Sequence, residues 1–239
     1  MGDRDAFGAP ALGMHRGIRR DGRSGDDALR GPGSIWPRGV SSLPAHYERA
    51  VDGFLPEKRG GRVVAVTALE RRAGRSTTCL GLAQAACILG GRPEVVDCHF
   101  ERPHLHLMLE EPNFVRLSTG PHRQAPPQEY GCEISPGLFA TPAETRIEDG
   151  KGAGRARAFG PAVRALHGSY PPVLLDAPLA DSLRHRETLH VSSDGALIAA
   201  RHHRSSQREL TDAVQAPGES GIEMPGITFN RCPAGLEEG

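Results

Sequence analysis

Residues 62–77 read Arg62-Val-Val-Ala-Val-Thr-Ala-Leu-Glu-Arg-Arg-Ala-Gly-Arg-Ser-Thr77. The run from Arg62 to Thr67 is short, apolar and β-branched, the pattern of a buried strand. A polar connection follows. It opens into a segment where Cys79, Leu82, Ala83, Ala86, Cys87 and Leu89 recur at helical spacing, closed by Gly90-Gly91 as a C-cap. Strand, turn and helix in this order make a phosphate-binding loop when four parts are present: inward-facing backbone N–H groups, a helix N-terminus aimed at phosphate, a cation, and a hydroxyl for Mg²⁺. Gly74 permits close backbone approach, Ser76 is the hydroxyl, Thr77 adds a donor, and Arg75 stands where the loop lysine belongs. The full Gly-x4-Gly-Lys pattern fails at two positions. Taken alone, the stretch reads equally well as an ordinary strand–loop–helix corner with an N-cap serine.

Outward from this stretch, short apolar strands alternate with helical segments. Glu94-Val-Val-Asp97, Leu138-Phe-Ala140, Val173-Leu-Leu-Asp176, Ala196–Ala200 and Gly226-Ile-Thr-Phe-Asn230 read as strands. Residues 155–167 place Phe159, Val163 and Leu166 on one helical face, and Ser182–Leu189 reads as a short helix. Ser206-x-x-Glu209 is a capping box opening a helix to about Val214. Residues 112–136, rich in Pro and polar side chains, read as a loop or weak helix. The alternation predicts an α/β domain, a mainly parallel sheet with helices on both faces. In such a sheet ligands bind beyond the C-terminal ends of the strands. Four strands end there in polar residues: Thr67, Asp97, Asp176 and Asn230.

Residues 1–44 are Gly, Arg, Asp, Ser and Pro with no period of 3.6 or 2. They read as a disordered N-terminal arm, with Trp36 inside it, preceding a domain at 45–239. The charge is balanced at 29 basic against 29 acidic residues, which gives no support for nucleic acid as the partner. The five cysteines are scattered without a C-x-x-C pair, against a disulfide scaffold and in favour of a reducing cytoplasm. No apolar run is long enough to span a membrane.

The ordered anchors carry a resemblance. Val-Ala-Val-Thr…Gly-Arg-Ser-Thr-Thr, Val-Val-Asp97-Cys-His-Phe-Glu-Arg-Pro103, Val-Leu-Leu-Asp176-Ala-Pro178 and Ile-Thr-Phe-Asn230-Arg231 resemble the P-loop domain of bacterial tyrosine kinases of the CpsD/CapB exopolysaccharide type, within the MinD/ParA-like ATPases. The resemblance covers roughly residues 60–232. It implies a P-loop NTPase fold that binds ATP and Mg²⁺. By position, Gly74, Arg75, Ser76 and Thr77 would cradle the β- and γ-phosphates. Ser76 would ligate Mg²⁺, supported through water by Asp176. Asp97 would orient or deprotonate the attacking group, and Asn230 would hydrogen-bond adenine. The partner implied is a membrane-embedded polysaccharide chain-length regulator, beside self-association, with the chain in the cytoplasm and recruited to the inner face of the membrane.

The departures from that pattern point to a degenerate member. Arg72 replaces a loop glycine, so a turn that Gly makes easily is strained or reshaped. Arg75 replaces the loop lysine, and its planar fork does not copy an ammonium between two phosphates. Neither Lys58 nor Lys151, the chain's lysines, lies in a motif that replaces it. His99 replaces the second acid of an Asp-x-Asp motif. The nine residues after Asn230 contain no tyrosine, and Tyr47, beside the arm, is the one substitute for a phosphorylated tail. The expectation is weak, Mg²⁺-assisted nucleotide binding without tyrosine autophosphorylation, in a regulatory partner. The alternatives are an active ATPase or tyrosine kinase of the same family, and a ParA/MinD-like positioning ATPase. Cys98, His99, His104 and His106 also invite a zinc reading, but their spacing matches no recognised zinc module.

Overall fold

Strand β2, Val63–Ala68, is buried along its whole length and feeds two cores by simple alternation. Val64, Val66 and Ala68 face one core, and Val63 and Ala65 face the other. Helices therefore have to cover both faces of the sheet, and they do. On the first face lie α1, Arg75–Ile88, and residues 47–48 and 50–51, whose Tyr47, Ala50 and Val51 pack with Leu80, Leu82 and Ala83 of α1. On the second face Val163, Leu166 and Tyr170 pack on Val173 and Leu175. A smaller cluster of Ile198, Ala200 and Ile227 is capped by Leu210.

The structure is a computed structural model that describes residues 11–16, 47–48, 50–51, 62–99, 103–109, 132–141, 163–168, 170–179, 193–218 and 223–232. Its strands are β1 (Ala11–Arg16), β2, β3 (Glu94–Asp97), β4 (Cys132–Ser135), β5 (Leu138–Thr141), β6 (Val173–Asp176), β7 (Gly195–Arg201) and β8 (Glu223–Cys232). They form one eight-stranded sheet in the order β1-β8-β7-β2-β6-β3-β5-β4. Every pairing is parallel except β4 with β5. The helices besides α1 are α2, Leu105–Leu109, and α3, Gln207–Gly218. No helix among the described residues is long and apolar enough to cross a membrane.

Helix α1 is shaped at both ends by glycine. Gly74, its N-cap, has φ 91°, and Gly90 beyond its C-terminus has φ 87°. Gly90 and Gly91 donate to the carbonyls of Cys87 and Ala86, as the C-cap reading expects. Small residues Gly81, Ala83, Ala85 and Ala86 let α1 lie close against its neighbours with most of its surface buried. The Ser206–Glu209 capping box forms before α3: Ser206 N and Oγ both donate to Glu209 Oε2, and Glu209 N donates back to Ser206 Oγ.

Two expectations change. Residues 11–16, within the expected arm, form β1, an edge strand parallel to β8; the rest of the arm, Trp36 included, lies outside the described residues. Cys132–Ser135, within the expected loop, is a strand antiparallel to β5. The turn at Pro136-Gly137, with Gly137 at φ 79°, joins the two. The proposed helix at Ser182–Leu189 lies outside the described residues, as do 155–162, while 163–167 are helical.

Candidate nucleotide site at the strand ends

Parallel register brings the polar strand ends together. Val66 stands opposite Asp176 on β6, and Asp97 opposite Asp176 on its other side. The turn between β2 and α1 runs above them. Gly74 meets its left-handed conformation without a side chain, and its place is tight: a Cβ there falls 2.6 Å from Asn230 Nδ2. Among the described residues no side chain caps the N-terminus of α1, which leaves its first N–H groups and the positive end of its dipole to an anion. Arg72 also takes the left-handed region, at φ 64°. The turn expected of glycine is thus retained, at the cost of about 1–2 kcal/mol that an L-residue carries there.

Each site residue has a definite partner. Ser76 Oγ donates to Asp176 Oδ2 at 2.5 Å. Asp176 is fully buried, and its Oδ1 has no hydrogen-bond partner among the described residues. Burial pushes the Asp176 carboxyl above its ordinary range, against the pull of His99, Ser76 and Arg75. Arg75 donates through its guanidinium to the carbonyl oxygen of Ala177. Burial lowers the Arg75 pKa, while the charges of Asp176 and Asp97 act the other way. Thr67 Oγ1 donates to Pro178 O at 2.6 Å, which ties β2 to the segment after β6.

Asp97 is the most fully engaged group. Its Oδ1 accepts from His99 N at 2.8 Å and faces His99 Nδ1 at 3.3 Å; its Oδ2 accepts from His104 N and Leu105 N, both at 2.9 Å. The carboxylate therefore caps the start of α2. Burial alone would raise its pKa, but these bonds from His99, Leu105 and His104 outweigh burial and hold it below the usual carboxylate range. Such a group is a poor proton acceptor at neutral pH.

The structure places other sequence-flagged residues differently. Asn230 Nδ2 donates to Ala73 O at 2.5 Å and to Thr78 Oγ1 at 3.2 Å. Its amide is thus a clamp on the loop from β8, where the resemblance implied a contact to adenine. Tyr47 is 1% exposed, and its hydroxyl donates to Thr78 Oγ1 at 3.4 Å, so it is a buried strut rather than a presented tyrosine. Thr77 begins α1 beside Ser76. The four-residue zinc reading does not assemble. Cys98 is buried with its thiol donating to Val96 O, His104 supplies a backbone N–H, and His99 alone joins Asp97 and Asp176. Burial pushes the Cys79 and Cys98 thiols well up, which makes them inert. The clamp and the strut carry no short-range sequence signal, because each joins residues far apart in the chain.

No family model matches the chain, and no curated protein matches it. Solved structures do. The kinase domain of the Escherichia coli tyrosine kinase ETK superposes with a TM-score of 0.71 at 16% identity, over 99% of this chain and 97% of that one. The BceF tyrosine kinase domain gives 0.70 at 20% identity, over 98% and 100%. The fold is that of the bacterial tyrosine kinase domains. It extends to the septum site-determining protein MinD of Pyrococcus horikoshii, solved as a complex with Mg-ADP, with a TM-score of 0.61 at 18% identity over 74% and 72%. The chain thus has the α/β fold of these P-loop domains, as the strand order and loop placement describe.

Proposed function

We propose that the chain is a nucleotide-binding, catalytically degenerate relative of the cytoplasmic tyrosine-kinase component of exopolysaccharide or capsule export. In this reading it acts as a regulatory partner of a membrane-embedded chain-length regulator. The binding half rests on the uncapped N-terminus of α1 after left-handed Gly74, which supplies N–H donors to an anion. The residues fit Mg²⁺ as well. Ser76 Oγ and Asp176 converge, and the buried Asp176 Oδ1 lacks a partner among the described residues. Ser76 and Asp176 would hold the ion, whose chemistry there is neutralisation of phosphate charge.

The observation that carries the degenerate half is the engagement of Asp97. A carboxylate has about four lone-pair sites, and three of them take backbone N–H bonds, from His99, His104 and Leu105. Asp97 therefore organises the start of α2 and does not take a proton. Arg75, held by Ala177 O, binds within the site without the reach of a lysine ammonium. An active ATPase, a tyrosine kinase or a MinD-like positioning ATPase is the competing reading, favoured by the retained turn at Arg72 and Gly74.

Calorimetric titration with ATP, with and without Mg²⁺, tests the binding half. Weak binding that Mg²⁺ strengthens is expected, and no heat at millimolar ATP removes the reading. Turnover tests the other half. Arg75→Lys combined with Arg72→Gly and His99→Asp is expected to raise ATP hydrolysis at least tenfold, since single electrostatic groups are worth about 10²–10³ in rate. Phosphotyrosine on the parent chain after incubation with ATP and Mg²⁺, seen by mass spectrometry, decides for the active kinase.

A further inference from the structure

We infer that Asp97, His99 and Asp176 form a binding site for a divalent first-row transition ion, best fitted by Zn²⁺, that fills without nucleotide. The three side chains come from adjacent strand ends. Asp97 and Asp176 are register partners on β3 and β6, and His99 follows Asp97 by two residues. One ligand atom from each lies within 4.8 Å of the others. His99 Nδ1 is 3.3 Å from Asp97 Oδ1 and 4.0 Å from Asp176 Oδ2. Two ligands held about 2.0–2.2 Å from a tetrahedral ion stand roughly 3.3–3.6 Å apart, so the first spacing fits as it stands and the second fits once it closes by about 0.5 Å.

A second, separate observation points to a cation. Asp176 is fully buried, and its Oδ1 has no hydrogen-bond partner among the described residues. A buried carboxylate oxygen without a hydrogen-bond donor is costly, and an ion beside it offsets that cost beyond what the Arg75 charge supplies. With its side chain 19% exposed, His99 lies at the margin of the site, where an ion can enter.

The donor set selects the class of ion. Mg²⁺ takes oxygen ligands in near-ideal octahedral geometry and gives up water reluctantly. An imidazole nitrogen beside two carboxylates suits Zn²⁺, with water or Ser76 Oγ within reach as a fourth ligand. With His99 as its Nε2–H tautomer, Nδ1 and Asp97 Oδ1 both offer lone pairs to the ion that lies between them. The three backbone N–H bonds to Asp97 stay in place, so loading does not dismantle the cap of α2.

The test uses the full chain, stripped with a chelator and free of nucleotide, so that its outcome is independent of ATP binding. Co²⁺ is titrated in and followed by visible absorption, then displaced with Zn²⁺. Saturable micromolar binding is expected, displaced by Zn²⁺ and unmoved by about 10 mM Mg²⁺. His99→Asp is expected to weaken Co²⁺ at least tenfold and to let millimolar Mg²⁺ compete. Asp176→Asn weakens Co²⁺ similarly, and His202→Ala with His203→Ala leaves it unchanged. Circular dichroism verifies each fold. On the parent protein itself, Co²⁺ is expected to shift one imidazole's proton signals paramagnetically. No Co²⁺ binding, binding that survives both site variants, or displacement by an equal concentration of Mg²⁺ overturns the inference. So does the absence of any shifted imidazole signal.

Discussion

Strand β3 carries a buried carboxylate at each end, and the two are pushed in opposite directions. Glu94 and Asp97 are 0% and 1% exposed on the same four-residue strand. Burial raises both. Glu94 accepts a hydrogen bond from Thr141 Oγ1, while its Oε2 has no partner among the described residues, and its pKa is pushed up to about 8. Asp97 lies where the chain turns into α2, so backbone N–H groups converge on it and hold its pKa low. Burial is common to both; the number of aimed donors decides the sign. Beyond Asp97 the chain turns, and the N–H groups of His99, His104 and Leu105 aim back at the carboxylate. At the other end of β3, Glu94 N is committed to Pro172 O just before β6.

The largest expected effect comes from Asp97→Asn. Its amide nitrogen faces N–H donors in place of an oxygen, and a loss of about 2–4 kcal/mol in urea unfolding is expected. A loss below about 1 kcal/mol breaks the claim that these donors dominate.

Next is Glu94→Gln. The native protein holds a proton on Glu94 up to about 8, whereas the ordinary value is 4.5. The stability from that proton is complete below about 4.5, falls as pH rises through about 8, and is level above. The Gln variant lacks this slope, so it should match the parent near pH 4 and exceed it by about 1–3 kcal/mol at pH 9. Parallel slopes in thermal melts across that range break the comparison. Asp97 makes the opposite limb, because its contribution is present above 3.8 and lost as pH falls through its lower folded value.

The smallest effect sharpens the contrast. Thr141→Val removes the hydroxyl that Glu94 accepts from, and a loss of about 1 kcal/mol at pH 9 is expected, with Glu94 releasing its proton at still higher pH. A downward movement of that release, read by NMR titration of the carboxyl carbon, contradicts the account.

Much of the fold was legible because its signals are local. β2, β3, β5, β6 and β7 are apolar runs of strand length, α1 ends at two glycines, and Ser206 and Glu209 form their box as written. The elements that escaped are those made by neighbours. Ala11–Arg16 lacks alternation and is a strand only because β8 offers it an open edge. Cys132–Ser135 pairs because Gly137 turns the chain back. Leu105–Leu109 is too short to show a helical period, and its cap is supplied by Asp97 on another element. In the site, the loop, Ser76 and the two aspartates were legible from strand ends and spacing. The strained turn was foreseen at Arg72, and φ 64° bears it out. The position of Asn230 against Gly74 was not, since no local pattern records a contact between β8 and the loop.

The placement of β1 has a consequence for how the protein is made. Ala11 stands opposite Ile227 and His15 opposite Asn230, so an early strand is matched to the last described one. During synthesis β1 has no template until β8 emerges, and the growing sheet meanwhile shows an unpaired margin beside β7. Pairings so distant in sequence slow folding, and waiting edges invite association between chains. The strand that finishes the sheet on the β8 side thus precedes β8 by about two hundred residues, and it joins only after Asn230, the clamp on the loop before α1, has been made.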